Sequence, residues 1–299
     1  MSGVECVVDC KSMLGEGPVW SPAEKALYWT DVPAYTVHRW TPNTGEQRSW
    51  RMPEMVTSMS LRAQGGLILA TSGRINRWDP DSDRLETLAV PEADLPDNRS
   101  NDGKCDRRGR FWYGTMQNNL NPDGSSRPMT DSSGNLWRIN GDGSFHCMDS
   151  GIGISNTFAW SPDNRVMYFG DTLAGIHAYD FDIEAGAIAN RRVFAKTEDP
   201  ALGVPDGSTI DADGFLWNAR WDGACLLRWA PDGTIDRKVA LPCQRVTSAI
   251  FGGADLDILY VTTARYDLSE GDLAEQPLAG GIFALSPGVR GLPEVPFPG

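Results

Sequence analysis

Short apolar segments, each closed by a turn, return along the chain at residues 26–31, 66–71, 110–115, 166–171, 215–220 and 258–263. The third residue of each is large and apolar: Tyr28, Ile68, Trp112, Tyr168, Trp217 and Tyr260, at intervals of 40, 44, 56, 49 and 43. Six copies at this spacing have the period of a propeller. Each copy keeps one internal order. An apolar stretch such as Pro18-Val19-Trp20 or Phe158-Ala159-Trp160 comes first, then a turn carrying Pro, Asp or Gly, then the segment named above. A third stretch follows at 37–40, 74–78, 135–139, 176–179, 225–229 and 281–285, and several copies show a fourth, as at 191–194. The pattern predicts an all-β fold: a six-bladed β-propeller of four-stranded blades around a central channel, one domain over 1–299. Little chain remains after Leu285, so the outer strand of the sixth blade is expected from residues 4–8. The polar stretches 94–99 and 117–134 read as loops, and the second lengthens the 56-residue interval. Loops of that length are often binding loops.

In a propeller the first strand of every blade lines the channel, so equivalent positions surround the axis. Glu16 lies 12 residues before Tyr28, Asn101 11 before Trp112, Asn156 12 before Tyr168 and Asp206 11 before Trp217. Four oxygen-bearing side chains thus share one level at the mouth, with Thr57 and Ser248 in the other two copies. Carboxylates crowded at an axis repel one another unless a cation sits among them, and oxygen-only ligation suits a hard divalent ion. Taken singly, each residue also has an ordinary structural use. Asp206 stands in Pro-Asp-Gly, a triplet that recurs as a plain turn at 231–233, and Asn156 has the chemistry of a turn residue.

Charge narrows the partners. With 27 basic and 40 acidic residues the net charge is −13, and no basic run exists, so nucleic acid is not an expected partner. No apolar run approaches a membrane helix and no secretory signal is evident, so neither a membrane nor export is expected, and the cytoplasm is. The six cysteines are scattered without a CxxC pair and read as reduced core thiols. Other chemistries find no support. There is no Gly-x-Ser-x-Gly elbow and no His-Glu-x-x-His. The acidic run at 79–83 has Arg84 and Val90 where a calcium loop needs glycine and glutamate.

Gly15-Glu16-Gly17-Pro18, Asn101-Asp102-Gly103-Lys104, Phe111-Trp112-Tyr113-Gly114-Thr115-Met116, Ala159-Trp160-Ser161-Pro162-Asp163 and Pro205-Asp206-Gly207 together resemble the gluconolactonase/regucalcin (senescence marker protein) family of sugar lactonases. The resemblance covers nearly the whole chain. It implies metal-dependent hydrolysis of aldonolactones, such as xylonolactone or gluconolactone, to aldonic acids in sugar oxidation. It implies one divalent metal ion (Ca²⁺, Fe²⁺, Mn²⁺ or Zn²⁺) held by Glu16, Asn156 and Asp206. Arg99 and Asn101 would bind the lactone. The charges make Asp206 the candidate catalytic base, with water activated by the metal or by this carboxylate, and Asn119 lies in the loop expected to touch the sugar. The expected partner is then a small sugar lactone, and the expected state a monomer. Two departures bear on this. Thr157-Phe158 stands where the family often has glycine-leucine, and Gln117-Asn118-Asn119 where relatives carry acidic residues, which bears on substrate choice. Competing readings are a non-catalytic propeller that binds calcium or a protein, and an aryl ester or organophosphate hydrolase.

Overall fold

Twenty-four strands among the described residues (3–196 and 199–299 of this computed structural model) form six four-stranded sheets arranged as a six-bladed β-propeller. In five blades the strands run in chain order from the axis outward, as in Gly15–Ser21, Ala26–Asp31, Thr36–Thr41 and Glu46–Arg51 of blade one. The innermost strands of the other blades are Val56–Leu61, Asn98–Cys105, Ser155–Trp160, Val204–Ile210 and Val246–Gly252, and each packs against the next around the ring. In blade six the outermost strand comes from the other end of the chain: Glu5–Val8 pairs antiparallel with Ile282–Leu285.

Each blade is sandwiched between two others, so its second strand is buried on both faces and cannot alternate. All six residues of Ala26–Asp31 are buried, whereas the outer strand Glu46–Arg51 is almost wholly exposed. The six recurring large residues sit in this core, none more than 4% exposed. The core is therefore a set of layers between blades. Tyr28 of blade one packs with Met59 and Trp78 of blade two, and Trp112 of blade three with Trp160 and Phe169 of blade four. Two of the tryptophans have a buried acid on the preceding turn. Asp106 accepts from Trp112 Nε1 at 2.8 Å and Asp211 from Trp217 Nε1 at 2.9 Å, which satisfies each indole inside the core. None of the six cysteines is in a disulfide. The single α-helix among the described residues is the capped turn Glu270–Glu275. No helix of these residues is long and apolar enough to cross a membrane.

After Leu285 the chain does not simply end. It crosses the lower end of the ring, where Ala212 N–H donates to Arg290, Gly291 N–H to Leu256, and Phe297 N–H to Leu61. Phe297 is fully buried. Glu294 reaches Lys104 of the inner strand of blade three at 3.7 Å, and Glu294 and Val295 line a small enclosure of about 20 Å³ within the channel. The tail thus plugs one end, and the polar cavity described next lies at the other.

Candidate active site

All six innermost strands break their ladder with the second strand at the same level. The irregularities fall between Glu16 and Val19, Val56 and Ser58, Ser100 and Gly103, Asn156 and Phe158, Pro205 and Ser208, and Val246 and Ser248. A bulge re-aims side chains that a regular strand would send to alternate faces. Repeated six times at one height, it turns polar residues toward the axis. Gly17 shows what this demands: its φ is +54°, and an added Cβ would stand 3.2 Å from Ser58 Cα of the next blade. Glycine is required there for conformation and for space.

Blade four meets the same demand with a β-branched residue. Thr157 has φ +55°, a conformation that costs such a residue about 1–3 kcal/mol. Its hydroxyl donates to the Asp206 carbonyl at 2.6 Å and lies 2.9 Å from Ser208 Oγ, while Asn218 Nδ2 donates to the same carbonyl at 3.0 Å. Strain at Thr157 is thus offset by bonds that fix the backbone of Asp206. Arg220 supports the same segment from the other side, donating from Nε to the Leu202 carbonyl at 2.8 Å and from Nη2 to Gly203.

Glu16, Arg99, Asn101, Asn119, Asn156 and Asp206 line one cavity of about 260 Å³, with Leu14, Met116, Leu120, Ile154, Trp221 and Tyr266 supplying the less polar wall. Asn156 donates from Nδ2 to Thr172 Oγ1 at 2.8 Å, and that hydroxyl donates to the Pro205 carbonyl. The hydroxyl can therefore only accept from Asn156, which leaves Asn156 Oδ1 turned the other way, where Asn101 Nδ2 donates to it at 3.1 Å. Arg99 clamps the other wall. It donates from Nη1 to Asn101 Oδ1 and to the Ser100 carbonyl, and from Nε and Nη2 to Asn119 Oδ1. An unbroken chain of bonds therefore runs Asn119–Arg99–Asn101–Asn156.

The electrostatics are those of a crowded acidic centre. Burial, then the charges of Asp206 and Asp102, hold the Glu16 carboxyl well above its usual range. Burial and the Asp102 charge do the same to Asp206. Burial pushes Asp102 itself up to about 6, against the pull of Lys104 and of the Gly103 and Thr157 N–H groups. Burial lowers Arg99 to about 10, opposed by the Glu16 charge. Among the described residues no three His, Cys, Asp or Glu side chains group as a metal site. The donor set here is instead two carboxylates and one amide oxygen. Glu16 accepts only the Gly17 N–H, at 3.3 Å, and buried like charges of this kind are stabilised by a positive ion. An oxygen-only set fits a hard divalent cation and leaves room for further ligands.

Sequence phase alone missed several neighbours. Asp102 follows Asn101 directly, and strict alternation would send it to the opposite face. Only the bulge lets both serve the channel. Thr172 and Tyr266 come from loops with no repeat signal, and Trp221 is the last residue of the strand Leu216–Trp221, one beyond the recurring segment. The loop after Gln117 folds over the mouth, and its Leu120 packs with Val32, Met55, Ala264 and Tyr266. Of the remaining residues at the predicted level, Thr57 is tied up against Ser100 Oγ at 2.7 Å, and Ser248 faces the small lower enclosure. Neither lines the site.

Residues 14–265 match the SMP-30/Gluconolactonase/LRE-like region. The chain belongs to this family. It is 36% identical over 294 residues to pentonolactonase XacC of Haloferax volcanii, covering 96% of each protein. It is 35% identical to the 6-deoxy-6-sulfogluconolactonase of Pseudomonas putida, covering 99% of each. The crystal structure of the calcium-binding protein regucalcin from Agrobacterium tumefaciens superposes with a TM-score of 0.91 at 28% identity, covering 99% of this chain and 97% of that one.

Proposed function

We propose that this protein hydrolyses sugar lactones to aldonic acids with one divalent cation held by Glu16, Asn156 and Asp206. The observation that carries the reading is the convergence of all six nominated side chains on one cavity, in a chain whose relatives are named lactonases. At about 260 Å³ the cavity is smaller than the roughly 300–1,000 Å³ typical for drug-sized ligands, which suits a single sugar ring. Its charged lining does not suit the apolar aryl esters of the alternative hydrolase reading.

When bound, a divalent cation supplies a Lewis acid for the lactone carbonyl and for the negative charge that develops on attack. The protein's own groups do the rest. Arg99 and Asn119 bind and orient the sugar, and Asn101 links that grip to Asn156. Asp206 accepts the proton of the attacking water as its oxygen bonds to the carbonyl carbon. The bond from that carbon to the ring oxygen breaks, and the ring oxygen takes up the proton. Burial and the Asp102 charge raise the Asp206 carboxyl in the cation-free site, and a bound cation opposes that shift, so the balance of the two sets its strength as a base. Leu120 and the loop that bears it restrict bulk water.

Acid release from a panel of pentono- and hexonolactones and aryl esters, with and without chelator, tests this. Chelator-sensitive opening of sugar lactones, restored by one of Ca²⁺, Fe²⁺, Mn²⁺ or Zn²⁺, is expected. Tight calcium binding with no lactone opened under any metal would refute it in favour of a non-catalytic role.

A further inference from the structure

Arg99 is a buried cation whose protein partners are all neutral. It is 4% exposed, and its hydrogen bonds end on Asn119 Oδ1, Asn101 Oδ1 and the Ser100 carbonyl. These use four of its five N–H donors. A buried charge without an opposite partner is costly. Glu16 acts on Arg99 only through space, and a cation among the ligands would absorb that charge. The same end of the cavity is rich in further donors. The Tyr266 hydroxyl is buried beside the Ser126 side chain, and both residues line the cavity with Asn119. Asn119 accepts with its oxygen, so its amide N–H groups remain to donate. The acceptors Glu16, Asp206 and Asn156 Oδ1 lie toward the axis. Asp267, the one acid at the donor end, is exposed at the rim, where solvent screens it.

The cavity is thus polarised, with a cationic donor end and an acidic, cation-binding end. Asn101 bridges them, 2.8 Å from Arg99 Nη1 and 3.1 Å from Asn156 Oδ1. One amide and two hydrogen bonds make a span within reach of a pentose or hexose skeleton. We propose that the preferred substrate is a sugar lactone bearing a second, anionic group at the end of the chain remote from the scissile carbonyl, a terminal oxyanion received by Arg99, Asn119 and Tyr266. This rests on the lactonase reading above and narrows its substrate class. A neutral hydroxyl would fill one donor and leave the guanidinium uncompensated. A multi-oxygen anion can take the one remaining Arg99 N–H together with the Asn119 amide and the Tyr266 hydroxyl, and its charge neutralises the guanidinium. The neutral amide at 119 is the specificity device, because a carboxylate there would neutralise Arg99 from within the protein.

The test compares kcat/KM of the full-length, metal-loaded protein on gluconolactone with that on three charged analogues: glucarolactone, 6-phosphogluconolactone and 6-deoxy-6-sulfogluconolactone. At least one charged lactone should be preferred about ten- to hundred-fold, mainly through KM, and the best of the three identifies the anion. Asn119→Asp should abolish or reverse that preference. Calorimetry should show the matching ring-opened dianion binding more tightly than gluconate by a similar factor, and Asn119→Asp should remove that difference. A neutral lactone handled as well as every charged one, or an Asn119→Asp enzyme that loses both classes equally, overturns the proposal. If no lactone of either kind is opened, the hydrolytic reading has failed. The calorimetric preference then still decides whether the donor end receives an anion.

Discussion

Replacing Arg99 by alanine removes four hydrogen bonds, and the structure says which consequences should follow. Asn119 Oδ1 loses both of its donors and Asn101 Oδ1 loses one. Asn101 still donates to the Ser155 carbonyl at 2.8 Å and to Asn156 Oδ1 at 3.1 Å, and Asn156 is still held by Thr172. The ligand set should therefore survive, and metal content should stay within about twofold of wild type. What is lost is a charge-assisted contact to substrate, about 1.5–3 kcal/mol, or a ten- to hundred-fold rise in KM at about 1.4 kcal/mol per decade. Because substrate and transition state share this contact, kcat should fall less. Steady-state kinetics corrected for spontaneous ring opening, together with elemental analysis of the purified variant, measure both quantities. Arg99→Lys retains a cation without the fork and should fall between the two. A normal KM in Arg99→Ala would remove Arg99 from the substrate site. Loss of metal in step with activity would show that the clamp serves the ligands rather than the sugar.

Glu16→Gln and Asp206→Asn each remove one of two carboxylates. Calorimetric metal affinity should fall at least tenfold in each, and kcat should collapse further in Asp206→Asn, so full metal and full rate in either would remove that residue from its role. Thr157→Ala keeps the strained φ and discards the bonds to Asp206 and Ser208, so chemical denaturation should show a loss of about 1–3 kcal/mol. Thr157→Gly should be more stable than Thr157→Ala by about 1 kcal/mol. The reverse order would mean that the strain at 157 is not real. The last prediction concerns pH. Glu16, Asp206 and Asp102 have raised values in the fold, Asp102 to about 6, so between an ordinary carboxylate value near about 4 and those raised values the folded state binds more protons than the unfolded one. Stability from these groups then rises as pH falls through that window. The Tm of chelated protein should climb from pH 7 toward pH 5, and saturating metal should flatten the climb. A metal-free Tm that falls over this range would contradict the crowded-carboxylate account.

Much of this molecule was legible in its sequence, for a specific reason. A propeller repeats one local unit, so the period of Tyr28, Ile68, Trp112, Tyr168, Trp217 and Tyr260 reports six blades without any knowledge of long-range contacts. Position within a repeat translates directly into height along the axis, which is why counting back from those residues places Glu16, Asn101, Asn156 and Asp206 around one cavity. The same count carries no information on Asp102, whose orientation depends on a bulge that local pattern cannot distinguish from a regular strand. It also nominates Thr57 and Ser248, which have the right height but turn to other partners. Only the tertiary structure decides the plug made by the tail around Glu294 and Phe297, the covering loop seated through Leu120, and the buried hydroxyl of Tyr266. Each of these is a contact between segments far apart in the chain and outside the repeat. Their placement is set by closure of the ring and by packing across it, and no periodic signal along the sequence encodes either.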